Sequence, residues 1–298
     1  MRAWRKARFV FPSPFTVSPA AALLRQAAAS LLSIAFPSSC SLCLQEFTEL
    51  NLSGVCGPCW AGLEPWRGPV CVGCGLPIAS LQSLDAAEVR CAACRNDETA
   101  FDGARSFGLY RDSLRAAILL LKFSRRERWG TKLGSLLAPV CESLAASHGV
   151  VEAILIPVPL HAARQRERGY NQAELLALGV VRSLPRLAGG TAVRLEKGIL
   201  KKIRATPPQA GLSLAARREN VRGVFAVTAP ERVRDRVMIL VDDVMTTGAT
   251  ISSCATALKR AGASQVLGLT LARATPQFPD SGSHRDGLSV DESKSRRP

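Results

Sequence analysis

Eight cysteines between residues 40 and 94 form four CxxC pairs, and this spacing strongly limits how that part of the chain can fold. Two intervening residues allow both sulfurs of a pair to bind one tetrahedral zinc ion at about 2.3 Å. The first two pairs are 12 residues apart and the last two are 16 apart, close to the spacing of four-thiolate zinc sites. The sequence therefore predicts two zinc ions, one bound by Cys40, Cys43, Cys56 and Cys59 and the other by Cys71, Cys74, Cys91 and Cys94.

The sequence also allows other roles for these cysteines. The pairs can also combine in an interleaved order, and a redox-active CxxC would explain one pair but not four. A disulfide framework requires an oxidising compartment, and no secretion signal precedes the cysteines. In the zinc interpretation each ion has four thiolate ligands, which leaves no open position for water or substrate. The ions are therefore expected to be structural, in a glycine- and proline-rich segment too short to build its own core.

Composition and charge narrow the class of protein. Hydrophobic residues make up 47% of the 298 residues, enough for about two domains with buried cores. The longest apolar stretch, residues 20–36, contains Arg25 and Gln26 and is too short to span a bilayer, which argues against an integral membrane protein. The net charge of +15 arises mainly in residues 101–275, which carry 27 cations and 13 anions. This excess predicts an anionic partner, whether phosphorylated metabolite, nucleic acid or acidic lipid.

The chain divides into four parts by composition. Residues 1–22 are a basic N-terminal extension, for which a targeting peptide is the alternative. Residues 23–100 comprise an N-terminal helix and the double zinc ribbon, and residues 101–275 form the body. Residues 276–298 lack periodicity and are expected to be disordered. Two tryptophans of the ribbon, Trp60 and Trp66, are expected to pack over the cysteine knuckles, with stacking on bases as the alternative.

Within the body, apolar runs alternate with amphipathic helical patterns, which predicts an α/β fold with a parallel sheet covered by helices on both faces. The run VMILV at residues 237–241 is typical of a central strand in such a sheet. The predicted strands are residues 106–110, 153–158, 237–241 and 266–272, and the predicted helices are residues 114–123, 132–146, 172–184 and 249–261.

The segment ILVDDVMTTGAT at residues 239–250 carries the clearest chemistry. A buried strand ends in Asp242 and Asp243, at the sheet edge where open α/β folds bind ligands. The following turn presents threonine hydroxyls and backbone N–H groups at a helix N-terminus, which suits a phosphate dianion. The carboxylates suit sugar hydroxyls, directly or through Mg²⁺. Together these groups describe a ribose phosphate site, whose phosphate-binding residues are Thr246, Thr247, Gly248, Ala249 and Thr250. An acidic helix entry with a threonine cap is the structural alternative.

This segment resembles the ribose-phosphate signature of type I phosphoribosyltransferases. Three further features narrow the resemblance to the ComF family of competence-associated, phosphoribosyltransferase-like proteins. They are PVPLHAARQRERGYNQA at residues 157–173, IRATPPQAGLSLAARRENVRGVF at residues 203–225, and the four cysteine pairs followed by LLLKF at residues 119–123. The resemblance extends over residues 23–275 and implies a type I phosphoribosyltransferase-like sheet preceded by a small zinc module.

The resemblance also implies roles for particular residues. The loop after the first sheet strand, here residues 159–163, contacts pyrophosphate in type I phosphoribosyltransferases, and residues 201–209 match the mobile loop that closes over substrate. Cations there can neutralise a leaving diphosphate, although cations on a loop are commonly just solvated. His161 is also readable as an exposed loop histidine. The implied residues of the two loops are His161, Arg166, Arg168, Asn171, Lys201, Lys202 and Arg204.

Two functions from different classes follow from this resemblance. The first is a Mg²⁺-dependent transferase acting on phosphoribosyl pyrophosphate, in which Asp242 and Asp243 hold the ribose and stabilise charge at the anomeric carbon. The acceptor is not identified by the sequence. The second is an accessory protein of natural transformation that handles single-stranded DNA with uptake and helicase proteins, and whose pocket is a sensor or scaffold. Reduced zinc thiolates imply a bacterial cytoplasmic location, with peripheral attachment at the inner membrane as a variant of it.

Overall fold

The computed structural model describes residues 39–46, 54–78, 89–96, 99–123, 127–184, 191–206, 220–221 and 223–275. The chain divides into two compact units, residues 1–56 and residues 57–298. The basic extension and helix predicted before residue 39 lie outside the described residues, as does the predicted disordered tail after residue 275.

The second unit contains a five-stranded parallel sheet with helices between its strands, which confirms the predicted fold class. The strands are β1 (Gly103–Leu109), β2 (Glu152–Pro157), β3 (Ala192–Leu195), β4 (Leu200–Lys202), β5 (Phe225–Val227), β6 (Val237–Met245) and β7 (Gln265–Arg273). The strand order of the parallel sheet is β1-β7-β6-β2-β3, and a separate antiparallel pair is formed by β4 and β5. The helices are α1 (Gly57–Ala61), α2 (Ala92–Arg95), α3 (Asp112–Phe123), α4 (Glu127–Ser135), α5 (Ala138–Ser147), α6 (Ala162–Arg168), α7 (Gln172–Ser183) and α8 (Ala249–Arg260), with a 3₁₀ turn at Pro230–Arg232.

The central strands are buried because helices pack on the sheet. Helix α8 contacts β6 and β7, and α7 contacts β2, β3 and β6. Helix α4 packs closely on α7 where Gly134 and Gly179 meet. A Cβ on Gly179 would lie only 2.2 Å from the carbonyl oxygen of Thr131, so a larger residue would push the two helices apart. The burial of β2, β6 and β7 explains why these strands read as continuous apolar runs.

Several elements differ from the sequence prediction in their bounds or were not predicted. Strand β6 continues to Met245, so the acidic pair lies inside the strand and not after it. The single helix predicted at residues 132–146 is two helices, because α5 begins with Pro139 in its first turn and proline cannot continue α4. Helix α6 and strands β3, β4 and β5 were not predicted, since each is seven residues or fewer and mixes polar with apolar positions.

The outer edge of β1 is covered by residues 66–73 of the ribbon. The N–H group of Trp66 donates to the carbonyl of Phe107, and the N–H group of Ala104 donates to the carbonyl of Gly73, both at 2.8 Å. These bonds satisfy backbone groups that an edge strand would otherwise expose. Within the second unit, the sheet and this part of the ribbon are thus joined by backbone hydrogen bonds.

Trp60 packs against helix α4 of the body, and its predicted packing over a knuckle stays a prediction. Its ring meets the buried ring of Trp129 edge-on with centroids 5.7 Å apart, and the ammonium of Lys132 lies 4.3 Å from the Trp60 centroid. Trp66 donates its indole N–H to the carbonyl of Pro69 at 3.4 Å. No helix in the described ranges is long and apolar enough to cross a membrane.

Candidate functional site

A cavity of about 280 Å³ opens at the carboxyl end of β6, where the strand turns into α8. Its walls come from the end of β6, the turn and the first residues of α8. Tyr110, which directly follows β1, and Lys122 of α3 complete the walls. The lining residues are Tyr110, Lys122, Asp242, Asp243, Val244, Met245, Thr246, Gly248, Ala249, Thr250 and Ile251. Both predicted carboxylates and four of the five predicted phosphate-binding residues therefore line one cavity.

The two carboxylates alternate across the strand, because successive side chains of β6 point to opposite faces. Each is held by a neighbouring backbone group: Oδ1 of Asp242 accepts from the N–H of Asp243, and Oδ1 of Asp243 accepts from the N–H of Val244, both at 2.8 Å. Burial and the charge of Asp243 raise the pKa of Asp242 to about 8. Near neutral pH Asp242 therefore holds a proton, and a bound cation would favour its carboxylate form.

Lys122 is a residue of this cavity to which the sequence analysis gave no role. Its Nζ lies 2.9 Å from Oδ2 of Asp243, and the two side chains are 21% and 8% exposed. Burial opposes the charged ammonium, but the carboxylate of Asp243 outweighs it and the pKa of Lys122 is raised. The signal in the sequence is a lysine four residues after Ile118 on the buried face of α3, a position that requires an anionic partner.

The turn between β6 and α8 is shaped by Gly248. Its φ of +80° is in the left-handed region, and a Cβ there would lie 2.7 Å from Cε of Met245. Thr247 does not line the cavity among the described residues; its Oγ1 accepts from the N–H of Ala249 at 3.3 Å and caps α8. The turn thus brings the helix N-terminus to the cavity wall, where its N–H groups favour an anion.

The residues predicted to contact pyrophosphate lie around α6 and the start of α7, outside the described cavity lining. His161 and Asn171 are N-caps: Nδ1 of His161 accepts from the N–H of Ala163 at 3.3 Å, and Oδ1 of Asn171 accepts from the N–H of Ala173 at 3.0 Å. Asn171 is buried, and its amide also donates to the carbonyl of Val158 at 3.1 Å.

The two arginines of this segment differ in their surroundings. Arg166 is exposed. Arg168 donates to Oε1 of Gln172 at 3.1 Å, and its guanidinium lies 5.9 Å from the ring centroid of Phe123. Their roles toward a diphosphate stay predictions.

The predicted mobile loop begins as strand β4 and is described as far as Thr206. Lys201 and Arg204 are exposed, whereas Lys202 is half-buried and donates to Oγ1 of Thr206 at 2.7 Å. Burial lowers the pKa of Lys202, and the carboxylate of Asp242 acts in the opposite direction. The rest of the predicted loop, residues 207–209, lies outside the described residues.

The eight paired cysteines form two clusters in the sequential pairing predicted above, and the interleaved order does not occur. In each group of four the sulfurs lie within 4.8 Å of one another. Four ligands at about 2.3 Å from a tetrahedral zinc are separated by about 3.8 Å. The sulfurs of Cys43 and Cys56 are 3.7 Å apart, and those of Cys74 and Cys91 are 3.5 Å apart. None of these eight cysteines forms a disulfide in the described residues, and the donor sets fit two structural zinc ions.

Backbone N–H groups support the thiolate form in both clusters. Burial raises the pKa of Cys40, but the N–H groups of Cys56 and Leu42, at 3.3 and 3.4 Å, lower it to about 6. A hydrogen bond with Cys74 and the N–H of Cys91, 3.2 Å away, lower the pKa of Cys71 to about 4. The same hydrogen bond raises the pKa of Cys74, and burial raises the pKa of Cys94 to about 12. The backbone contacts thus favour one thiolate in each cluster, and a zinc ion would stabilise the others as thiolates.

Comparisons with known proteins find a zinc ribbon domain and relatives that are similar over most of the chain. Residues 31–95 match the family model for a double zinc ribbon domain. Competence protein F of Haemophilus influenzae is 30% identical over 226 residues, which are 74% of this chain and 91% of that protein. The DNA utilization protein YhgH of Salmonella typhimurium is 29% identical over 231 residues, 77% of this chain and 94% of that protein.

More distant matches are also found. Competence protein ComFC of Bacillus subtilis is 26% identical over 223 residues, 74% of this chain and 84% of that protein. The solved structure of the allosteric regulatory enzyme of purine biosynthesis matches 47% of this chain and 25% of its own at 22% identity, with a TM-score of 0.29. Because the chain is 30% identical to Competence protein F and covers 91% of that protein, the chain belongs to the ComF family.

Proposed function

We propose that the protein binds Mg²⁺-phosphoribosyl pyrophosphate in the cavity at the end of β6 and acts in the handling of incoming DNA in natural competence. The observation that carries the ligand proposal is that one cavity contains both carboxylates and the turn at the N-terminus of α8. The printed names of the relatives, competence and DNA utilization proteins, support the biological context. Clustered zinc thiolates favour the reducing cytoplasm as its location.

The chemistry of the cavity follows from its residues. Asp242 and Asp243 would accept hydrogen bonds from the ribose hydroxyls and favour positive charge at the anomeric carbon. Thr246, Thr250 and the N–H groups of the first turn of α8 would hold the 5-phosphate, a non-reacting part that supplies orientation and binding energy. The two carboxylates offer the oxygen ligands that Mg²⁺ prefers, and the ion would neutralise the diphosphate and make it a better leaving group.

Lys122 and Lys202 extend this arrangement. With its ammonium 2.9 Å from Asp243, Lys122 orients that carboxylate within the cavity. Lys202 stands at the opening of the predicted mobile loop, where a cation can approach a leaving diphosphate as the loop closes. A nitrogenous base is the acceptor class expected for a transferase with this ligand.

The alternative is that the cavity senses the ligand without turnover while the protein handles single-stranded DNA. The excess of cations in residues 101–275 favours a phosphate backbone as partner, and aromatic residues are only 5% of the chain, few for base stacking. Binding to single strands would then be electrostatic and would weaken steeply as salt is raised, because phosphate neutralisation releases counterions. An affinity for oligonucleotides that does not change with salt would exclude this alternative.

Isothermal titration calorimetry tests the ligand proposal. Mg²⁺-phosphoribosyl pyrophosphate should bind the zinc-loaded protein at one site per chain, and ribose 5-phosphate should bind more weakly at the same site. Ribose without phosphate is the matched control and should produce no heat. Pyrophosphate release with a panel of nucleobases then separates the transferase from the sensor. No binding of either phosphorylated sugar would overturn the proposal.

A further inference from the structure

The second cysteine cluster lies against a buried arginine of the sheet. Arg273 is the last residue of β7 and is 4% exposed. Its Nη2 lies 3.8 Å from Sγ of Cys74. Among the residues that the structure describes, no hydrogen-bond acceptor is within reach of its Nε or Nη1. A buried guanidinium with two unsatisfied nitrogens requires a strong compensating charge nearby.

A second arginine approaches the same cluster from β1. Arg105 is half-buried, and its Nη1 donates to the carbonyls of Val72 at 3.0 Å and Ala104 at 2.8 Å. Val72 lies inside the third CxxC pair, so this bond ties the knuckle directly to the sheet. Burial lowers the pKa of Arg105 and of Arg273, and negative charge on the nearby cysteines opposes this lowering.

The two guanidinium charges equal the charge of the metal-bound cluster. A zinc ion with four thiolates has a net charge of −2, whereas a metal-free cluster in which some cysteines are neutral thiols has less negative charge. Two guanidinium groups therefore match the zinc-loaded cluster and would be less well compensated beside the metal-free one. We propose that Arg105 and Arg273 are the charge partners of the zinc tetrathiolate at Cys71, Cys74, Cys91 and Cys94, so that metal retention depends on strands β1 and β7 of the sheet.

This arrangement links the zinc site to the candidate ligand cavity through one strand pair. Arg273 pairs with Met245 in the β6–β7 register, and the N–H group of Ala274 donates to the carbonyl of Met245 at 3.0 Å. Met245 lines the cavity and directly precedes the turn at Thr246. The charge partnership does not itself depend on what the cavity binds.

The test replaces the charge and keeps the size. Arg273→Gln and Arg105→Gln in the full chain should each release one of two zinc ions to a chromogenic chelator about tenfold faster than wild type or more. Arg273→Lys retains the positive charge and should fall between wild type and Arg273→Gln. Arg236→Gln, an exposed arginine before β6, is the matched control and should release zinc at the wild-type rate. Wild-type release rates in both glutamine variants would overturn the proposal.

Cobalt substitution separates a charge effect from a loss of packing. A nearby cation stabilises the sulfur lone pairs and raises the energy of the sulfur-to-cobalt charge-transfer transition. In Arg273→Gln part of that band should move to longer wavelength, and Arg273→Lys should restore much of the shift. If Arg273→Gln does not fold, the same measurement on Arg105→Gln decides the matter, since that position is less buried. A band at the wild-type position in every folded glutamine variant would overturn the proposal.

Discussion

Nζ of Lys122 lies 2.9 Å from Oδ2 of Asp243, so a lysine from α3 neutralises one carboxylate of the candidate ligand site. Both side chains are mostly removed from solvent, and removing one partner of such a pair leaves an uncompensated charge. Lys122→Met should therefore lower the free energy of unfolding by roughly 3 kcal/mol, measured by denaturant titration.

The ion pair of Lys197 with Glu174 provides the control for that prediction. It has the same separation of 2.9 Å, but its side chains are 54% and 29% exposed. Because solvent screens exposed pairs, Lys197→Met should cost less than about 1 kcal/mol. In the double variant Lys122→Met/Asp243→Asn part of the lost stability should return, since the buried charge is removed. Equal costs for the two lysine variants would contradict the buried ion pair.

The raised pKa of Asp242 predicts a pH dependence of stability. Its folded-state pKa is about 8 compared with an ordinary value of 3.8, so the folded protein holds a proton that the unfolded chain releases. The stability from this proton is complete below about pH 4 and is lost as the pH rises through 8. Asp242→Asn cannot ionise and keeps a carbonyl acceptor for the N–H of Asp243.

The variant Asp242→Asn should consequently become more stable than the wild type as the pH rises. We expect similar melting temperatures near pH 5 and an advantage of at least about 2–4 °C near pH 9, corresponding to roughly 1 kcal/mol. Asp235→Asn, at an exposed position before β6, is the matched control for the removal of a carboxyl outside the cavity. Parallel melting curves for Asp242→Asn and wild type over this range would show that the carboxyl is not perturbed.

The proposed ligand predicts a selective loss in Asp243→Asn. Removing the charge from one partner of a hydrogen bond costs about 1.5–3 kcal/mol, so affinity for Mg²⁺-phosphoribosyl pyrophosphate should fall roughly ten- to a hundredfold in calorimetry. The zinc content should stay at two ions per chain, because the cysteine clusters are formed by other residues. Asp235→Asn is again the control, and equal affinities for the two variants would remove Asp243 from the ribose site.

Local sequence patterns predicted the metal-binding and cavity-forming residues better than they predicted contacts between residues distant in sequence. The CxxC spacing specified both clusters, since two sulfurs three residues apart can reach one ion in few ways. The strand and turn at residues 239–250 also specified a cavity, because hydrophobic runs and glycine turns are local signals. Lys122 was missed because its partner Asp243 is distant in sequence, and no local pattern records which helix packs beside a strand.

The capping residues illustrate the same limit. No capping role was predicted for His161 or Asn171, yet both side chains accept backbone N–H groups at the starts of α6 and α7. A histidine before a helix of mixed polarity is hard to distinguish from a loop residue when the helix has only seven residues, as α6 does. Asn171 directly precedes a helix that was predicted, so its capping role was within reach of the sequence. Packing of the ribbon on β1 likewise depends on tertiary pairing that the sequence does not reveal.

That packing predicts unequal effects for two glycines with the same backbone angle. Gly75 and Gly149 both have φ of +65°, so alanine strains the backbone at either position. At Gly75 a Cβ would also lie 2.7 Å from the carbonyl oxygen of Ala104 on β1, whereas at Gly149 no atom is within 4 Å. Gly149→Ala should therefore lower the stability by about 1 kcal/mol.

Gly75→Ala should cost clearly more than Gly149→Ala, because the third CxxC knuckle must withdraw from β1 to relieve the clash. Withdrawal breaks the backbone bond from Ala104 to Gly73 and separates the cluster from the sheet. Thermal melting and chelator release measure the two effects together: the melting temperature should fall further and one zinc ion should leave faster in Gly75→Ala only. Identical melting and zinc release in the two alanine variants would contradict the docking of the ribbon on β1.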